Sequence, residues 1–317
     1  MCANLLYSVD ADRDGPGRRS LALRCTTGEL VRIRPGVYLD GQSWAGLSPW
    51  ERERLRLAAA VQSGRTRRVL IQQSAAVIWG IPTIGTPLEV MLLALPPVNG
   101  HRRGDLRWAR RRLLEPLTTV DGLPVTSKAQ TVLDMAAYLP FEQAVPAMDH
   151  VIRPDRRRGL QALEKDALRQ LAQGLPTQAK RVRAMRVITF ADERSESPGE
   201  SYSRAVIHRN GFPAPELQQS FHSPGGRLLG RTDFFWKQQE LVGEFDGAVK
   251  YGKTQTDGGT QPEHALLQEK RREDAIRATG VGFLRWSWSE VFKPAGAPDG
   301  LVQALLRAGL PQLRPRA

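Results

Sequence analysis

GRTDFFWKQQELVGEFDGAVKYG, Gly230 to Gly252, decides how the C-terminal part of this chain folds. Two apolar-rich runs, Leu229 to Trp236 and Glu240 to Asp246, flank a polar turn at Lys237–Gln239. Phe, Trp, Val and Leu suit a pleated, half-buried surface, so the stretch predicts a β-hairpin interrupted by acids. With the turn centred on Gln238–Gln239, Lys237 pairs with Glu240, Trp236 with Leu241 and Phe235 with Val242. Asp233 then stands opposite Glu244, with Cβ atoms roughly 5 Å apart on one face. Asp246 follows Glu244 by two residues and points the same way. Carboxylates gathered like this repel, and something must offset the repulsion. Mg²⁺ (or Mn²⁺) would do so, because it takes one or two carboxylates and fills its other positions with water or phosphate oxygens. A purely structural alternative stands beside it: Arg231, on the same face, neutralises the acids. The prediction depends on register, since an odd-length loop would send one acid to the opposite face.

The chain has 317 residues, enough for two domains with separate cores. Its composition is globular, 41% hydrophobic and 25% charged, with a net charge of +13 carried more by Arg than by Lys. That excess fits a polyanionic partner, DNA first, because Lys and Arg on phosphates release condensed counterions. Two cysteines, Cys2 and Cys25, support neither a zinc ribbon nor a disulfide framework and fit a reducing, cytoplasmic setting. The first residues carry acids and no long apolar run, so no secretory signal is expected. Val90 to Leu95, the most apolar run, is too short to span a bilayer, and no membrane partner is expected.

In the N-terminal half, Arg18 to Asp40 reads as a short helix, a turn at Thr26-Thr27-Gly28 and a hairpin around Arg34-Pro35-Gly36. A helix followed by a basic hairpin is the layout of a winged helix-turn-helix, with Arg24, Arg32 and Arg34 placed to meet phosphates or a groove. The helix that should precede it falls on Tyr7–Gly17, whose DADRDGPG argues against regular structure. The alternative is a hairpin packed under the next helix. Ser48-Pro49-Trp50-Glu51 opens a helix that runs to about Ser63. Further helices are expected at Ser74–Trp79, Lys128–Tyr138, Phe141–Ile152, Gly159–Gln173 and Gln178–Phe190, and a buried strand at Leu88–Leu95. Arg102 to Arg112 is a dense arginine run around Trp108, readable as a phosphate-tracking strand or as a solvated face. A domain boundary is placed near residue 190.

From Ser195 the expected order is helix, three strands, helix, strand. Ser197-Pro198-Gly199-Glu200 opens the first helix, and Glu200 sits where a capping box needs its third residue. The alternative aims Glu200 at the acids of the hairpin as a further carboxylate. Ser287–Phe292 is expected to close the sheet edge.

Several motifs in order carry a resemblance: Glu200-Ser-Tyr-Ser-Arg204, Arg231-Thr-Asp-Phe234, Gly243-Glu-Phe-Asp-Gly247, Lys250-Tyr251, Glu269-Lys-Arg-Arg-Glu273 and Phe283-Leu-Arg-Trp286. Over residues 195–293 the sequence resembles Vsr-like nucleases of the PD-(D/E)XK superfamily. That resemblance implies a restriction-endonuclease-like αβββαβ core and Mg²⁺-dependent hydrolysis of DNA phosphodiesters. It further implies Asp233 and Glu244 as metal ligands, Glu200 in support, and a lysine near the nucleophile. The sequence departs from the family in its acid-x-Lys triplet, which here is Glu244-Phe-Asp246. Asp246 then adds a metal ligand, and the missing cation falls first to Lys250, closest along the chain, ahead of Lys270 on the later helix; Arg231 and Lys270 are expected to contact the nucleic acid. The N-terminal half, through Glu29-Leu-Val-Arg-Ile-Arg-Pro-Gly-Val-Tyr38, Ser74-Ala-Ala76 and Ser127-Lys-Ala-Gln-Thr-Val-Leu-Asp134, resembles type IV (AbiEi-like) antitoxins. That family joins a winged helix to an α/β regulatory domain and implies DNA and a toxin protein as partners. The expectation is an α/β (α+β) chain: a winged-helix-like module at 1–70, an antitoxin-like region at 71–190 and a nuclease-like domain at 191–317. The alternative function is a catalytically inactive DNA-binding regulator that keeps the nuclease fold.

Overall fold

The computed structural model describes residues 5–8, 18–64, 66–85, 89–95, 99–154, 161–247 and 262–313. It is an α+β protein that divides into two compact units, residues 1–138 with 164–186, and residues 139–163 with 187–317.

In the first unit, β1 (Leu6–Tyr7), α1 (Arg18–Thr26), β2 (Leu30–Arg34) and β3 (Val37–Asp40) come first. The strands form an antiparallel sheet in the order β1-β3-β2. Then follow α2 (Gly41–Gly46), capped by Asp40, and α3 (Pro49–Gln62), whose Ser48 and Glu51 make the full capping box expected of them. Next, α4 (Gln72–Trp79) packs beside β4 (Val90–Leu93). β5 (His101–Arg103) and β6 (Leu106–Ala109) complete a mixed sheet, β4-β6-β5, in which β4 and β6 run parallel and β5 is an edge. A short hairpin, β7 (Thr118–Val120) and β8 (Leu123–Val125), leads into α5 (Lys128–Tyr138). Leu57, Leu70, Val90, Leu92 and Val125 meet in one dry cluster between α3 and the sheet, which is what the continuous apolar run at β4 requires.

The chain then crosses to the second unit for α6 (Phe141–Ile152) and returns for α7 (Lys165–Ala172) and most of α8 (Gln178–Phe190). A boundary near 190 would leave α6 with the N-terminal half. Instead α6 lies along α9 (Pro198–Arg209), and the buried Asp149 on α6 accepts 2.9 and 2.7 Å hydrogen bonds from Arg204 on α9. The helix expected over Gly159–Gln173 occupies 165–172 among the described residues.

The rest of the second unit follows the expected order: β9 (Glu216–His222), β10 (Leu228–Trp236), β11 (Leu241–Phe245), α10 (Pro262–Arg277) and β12 (Gly282–Trp286). The sheet order is β12-β11-β10-β9, antiparallel except for the parallel β11–β12 pair. With α9 in front, this is the αβββαβ element order. Trp286 and Trp236 crowd over Gly243, where an added Cβ would stand 2.6 Å and 3.0 Å from their ring atoms. Only glycine lets both rings cover the centre of β11. Trp286 also donates a 2.8 Å bond to Ser203 Oγ, tying the sheet to α9. Ser287–Phe292 does not extend the sheet: Ser287 caps a short helix, α11 (Trp288–Val291), with Glu290 closing the box. The final helix, α12 (Leu301–Arg307), buries Leu301, Val302 and Leu305.

Candidate functional site

The register of β10 and β11 pairs Phe235 with Val242 and Trp236 with Leu241, and the next pair is Phe234 with Gly243. Lys237–Glu240 forms no ladder pair. Those residues make a 3₁₀ turn that ends with Glu240 in the left-handed region, at φ 46°. Four residues still separate the strands, so the acids keep their common side. Asp233 Oδ2 accepts a 2.9 Å bond from the Phe245 amide, across the hairpin and one residue past Glu244.

Glu200 is delivered from the first turn of α9. Ser197 Oγ accepts from the Glu200 amide at 3.2 Å, as a helix cap should. The Glu200 carboxylate does not close a capping box with Ser197 N–H. Its Oε2 accepts instead from the Glu196 amide and from Gln218 Nε2, each at 2.9 Å. Gly199 allows this approach: a Cβ there would stand 1.9 Å from the Phe245 ring. Gln218 reaches Glu200 from β9 with φ at 56°, a left-handed conformation costing a non-glycine residue roughly 1 kcal/mol or more.

Burial raises the Asp233 carboxyl to about 7, reinforced by the negative charges of Glu200 and Glu244. Burial likewise pushes Glu200 above the usual carboxylate range. Asp233 therefore feels two acids, Glu244 from the hairpin and Glu200 from α9, whereas the hairpin pattern predicts Asp246 as the third. Asp246 begins the segment after β11 and donates its amide to Trp286 O at 2.7 Å.

Glu244 is not left to its acidic neighbours. Arg272 Nη2, from α10, lies 2.7 Å from Oε1, and Arg285 Nη2, from the parallel strand β12, lies 2.9 Å from Oε2. The same two arginines hold Glu269 at 2.7 and 2.9 Å, and Arg285 approaches Glu273 at 3.2 Å. The Glu269 bond, with Glu244 behind it, raises the Arg272 pKa above the usual guanidinium value. Arg231 plays no part in this. Its guanidinium sits on Glu196 at 2.6 Å, and the arginines that answer Glu244 are Arg272 and Arg285. Lys270 is exposed on α10, and Lys250 lies outside the described residues.

Hard carboxylate oxygens from Asp233 and Glu244 have the donor chemistry Mg²⁺ takes, with water and phosphate completing its shell. Among the described residues no group of three or more His, Cys, Asp or Glu side chains is arranged to hold a metal. Asp233 and Glu244 supply two carboxylates of that chemistry, and both Glu244 oxygens accept from arginine. Arg272, Arg285 and Gln218 are the site residues the sequence reading did not select. Helical spacing held a signal for the first: Glu269, Arg272 and Glu273 fall on one face of α10, and Lys270 does not.

In the first unit, Arg32 is exposed on β2. Arg24 is held by Glu29 at 2.6 Å. Arg34 is turned inward: its guanidinium grips Asp105 through bonds of 2.5 and 2.7 Å, and the side chain is 9% exposed. In that position it braces the hairpin against the turn between β5 and β6.

No family model matches the chain. It is 29% identical over 229 residues to the uncharacterized proteins MT2308 and Rv2248 of two Mycobacterium tuberculosis strains, covering 72% of this chain and 78% of each relative. Among solved structures it is similar to the RV2827C protein of Mycobacterium tuberculosis, with 15% identity, a TM-score of 0.36, and coverage of 69% of this chain and 84% of that one. Among the described residues no helix is long and apolar enough to cross a membrane.

Proposed function

We propose that the second unit is a Mg²⁺-dependent endonuclease that hydrolyses DNA phosphodiesters. The observation that carries this reading is Asp233, whose carboxyl is raised to about 7 by burial and by Glu200 and Glu244. Such crowding costs stability, and strongly perturbed acids concentrate at functional sites. Asp233 and Glu244 would hold the cation. When bound, it supplies Lewis-acid polarisation of a phosphate and a more acidic water. Glu200, fixed by Gln218 and the Glu196 amide, would orient that water. Arg272 and Arg285 take the place of the lysine absent from Glu244-Phe-Asp246. Once off Glu244, their fixed guanidiniums face phosphate oxygens where charge develops. The excess positive charge supports DNA as the polymer.

One observation favours a second reading, a non-catalytic DNA-binding regulator of the antitoxin kind: both oxygens of Glu244 are already satisfied by arginine. Two measurements separate the readings. Isothermal titration with Mn²⁺ should show binding that Asp233→Asn removes, and supercoiled plasmid with Mg²⁺ should be nicked by the wild type alone. Heat of binding absent for every divalent ion, together with intact plasmid, would leave the regulator.

A further inference from the structure

Positive charge in the first unit concentrates on one strand pair that the acid cluster does not explain. β5 is the edge of its sheet, and His101, Arg102 and Arg103 are all exposed. Beside it on β6, Arg107 is exposed and Trp108 lies under His101, the two rings stacked at 4.3 Å and 8°. A single carboxylate, Glu89, faces two guanidiniums: Arg102 at 3.0 Å and Arg107 at 3.2 Å. At the turn, Asp105 answers Arg34 and Arg56. Arg68 lies over the Trp108 ring, and its buried Nε has no hydrogen-bond partner. Burial lowers the Arg68 pKa, and the charges of Arg34 and Arg103 add to that effect. The arginines here outnumber the acids that answer them. Charge on an edge strand blocks pairing with another strand. The same charge on a two-stranded antiparallel ribbon matches DNA, whose major groove admits such a ribbon between its phosphate rows.

We propose that the β5–β6 ribbon is a contact surface for duplex DNA, with Arg102, Arg103 and Arg107 on backbone phosphates and Glu89 competing for two of them. The contact is to the backbone and so independent of sequence. It shares its polymer with the nuclease reading but needs no metal.

The test is fluorescence anisotropy of the full chain with a labelled mixed-sequence duplex in EDTA, over a series of salt concentrations. The variant with Arg102→Gln, Arg103→Gln and Arg107→Gln should raise Kd by roughly ten-fold or more and flatten the log Kd against log salt slope by about two to three. Glu89→Gln keeps every arginine and should tighten binding several-fold. It decides the matter if the triple variant fails to fold, since loss of a merely structural ion pair would not strengthen binding. Unchanged Kd and slope in a folded triple variant overturn the proposal, as does a wild type that binds RNA hairpins in preference to the duplex. Plasmid that stays intact while the ribbon variants shift Kd as expected counts against the nuclease alone.

Discussion

Arg272 Nη2 and Glu244 Oε1 lie 2.7 Å apart, joining a helix to the strand pair before it through two residues 28 apart in the chain. The bond answers the charge of Glu244 without a metal. Both side chains are mostly shielded, at 25% and 11% exposure, so removing one leaves a poorly solvated charge.

Arg272→Ala should therefore lower stability in EDTA by about 1–3 kcal/mol. Divalent cation should restore part of the loss, because the freed carboxylate becomes a ligand. Thermal melts of wild type and variant, with and without Mg²⁺, check this. A variant whose loss is the same in both buffers speaks against metal binding at Glu244.

Asp233→Asn should abolish plasmid nicking and at the same time raise Tm at pH 8. The wild-type carboxyl, raised to about 7, is ionised there in both the folded and the unfolded chain, and only the folded one pays for burying the charge. At pH 3.5, where the acid is protonated when folded and largely so when unfolded, the two proteins should melt alike. An equal change at both pH values would point to packing.

A second buried acid gives the first unit its own pH dependence. Asp134, 1% exposed, is raised to about 7 by burial, against the opposing charge of Arg111. Gln130 donates to its Oδ1 at 3.1 Å, while Oδ2 has no partner. A folded pKa above the unfolded value means the folded chain holds the extra proton between about pH 4 and pH 7. Stability from this residue is complete below that window and is lost as pH rises through it. Asp134→Asn should flatten the dependence, measured as urea unfolding at several pH values.

Gly199→Ala should cost about 1–3 kcal/mol by forcing α9 away from Phe245. Shrinking the obstacle tests the cause: with Phe245→Leu also present, the alanine should cost less. A double-mutant cycle with no coupling between the two positions would show that the helix start moves for another reason.

Much of the second unit was legible because its signals are local. The apolar runs fixed β10 and β11, and Ser197 marked the start of α9. The facing of Asp233 and Glu244 followed from an even-length connection, although a 3₁₀ turn, not a tight hairpin, provides it. What stayed hidden depends on partners distant in the chain. Arg285 stands opposite Glu244 only because β11 and β12 pair in parallel, and no periodicity within either strand reports that register. Gln218 enters the site through a left-handed backbone that no residue preference announces. Arg34 was read as a groove contact from its place on a basic hairpin. Its true neighbour, Asp105, is 71 residues away. Ser127, Gln130 and Asp134, noted as a motif, prove to be linked: Ser127 Oγ accepts from the Gln130 amide, and Gln130 donates to Asp134.

The double crossing of the chain at 139–163 and 164–186 has a practical outcome for anyone wishing to study the second unit by itself. Cutting at residue 190 would strip away α6 and with it the buried Asp149 that answers Arg204, and would uncover the face of α9 that packs against α6. The two halves are interleaved, and neither can be transplanted, expressed or inherited as a cassette by one snip of the polypeptide.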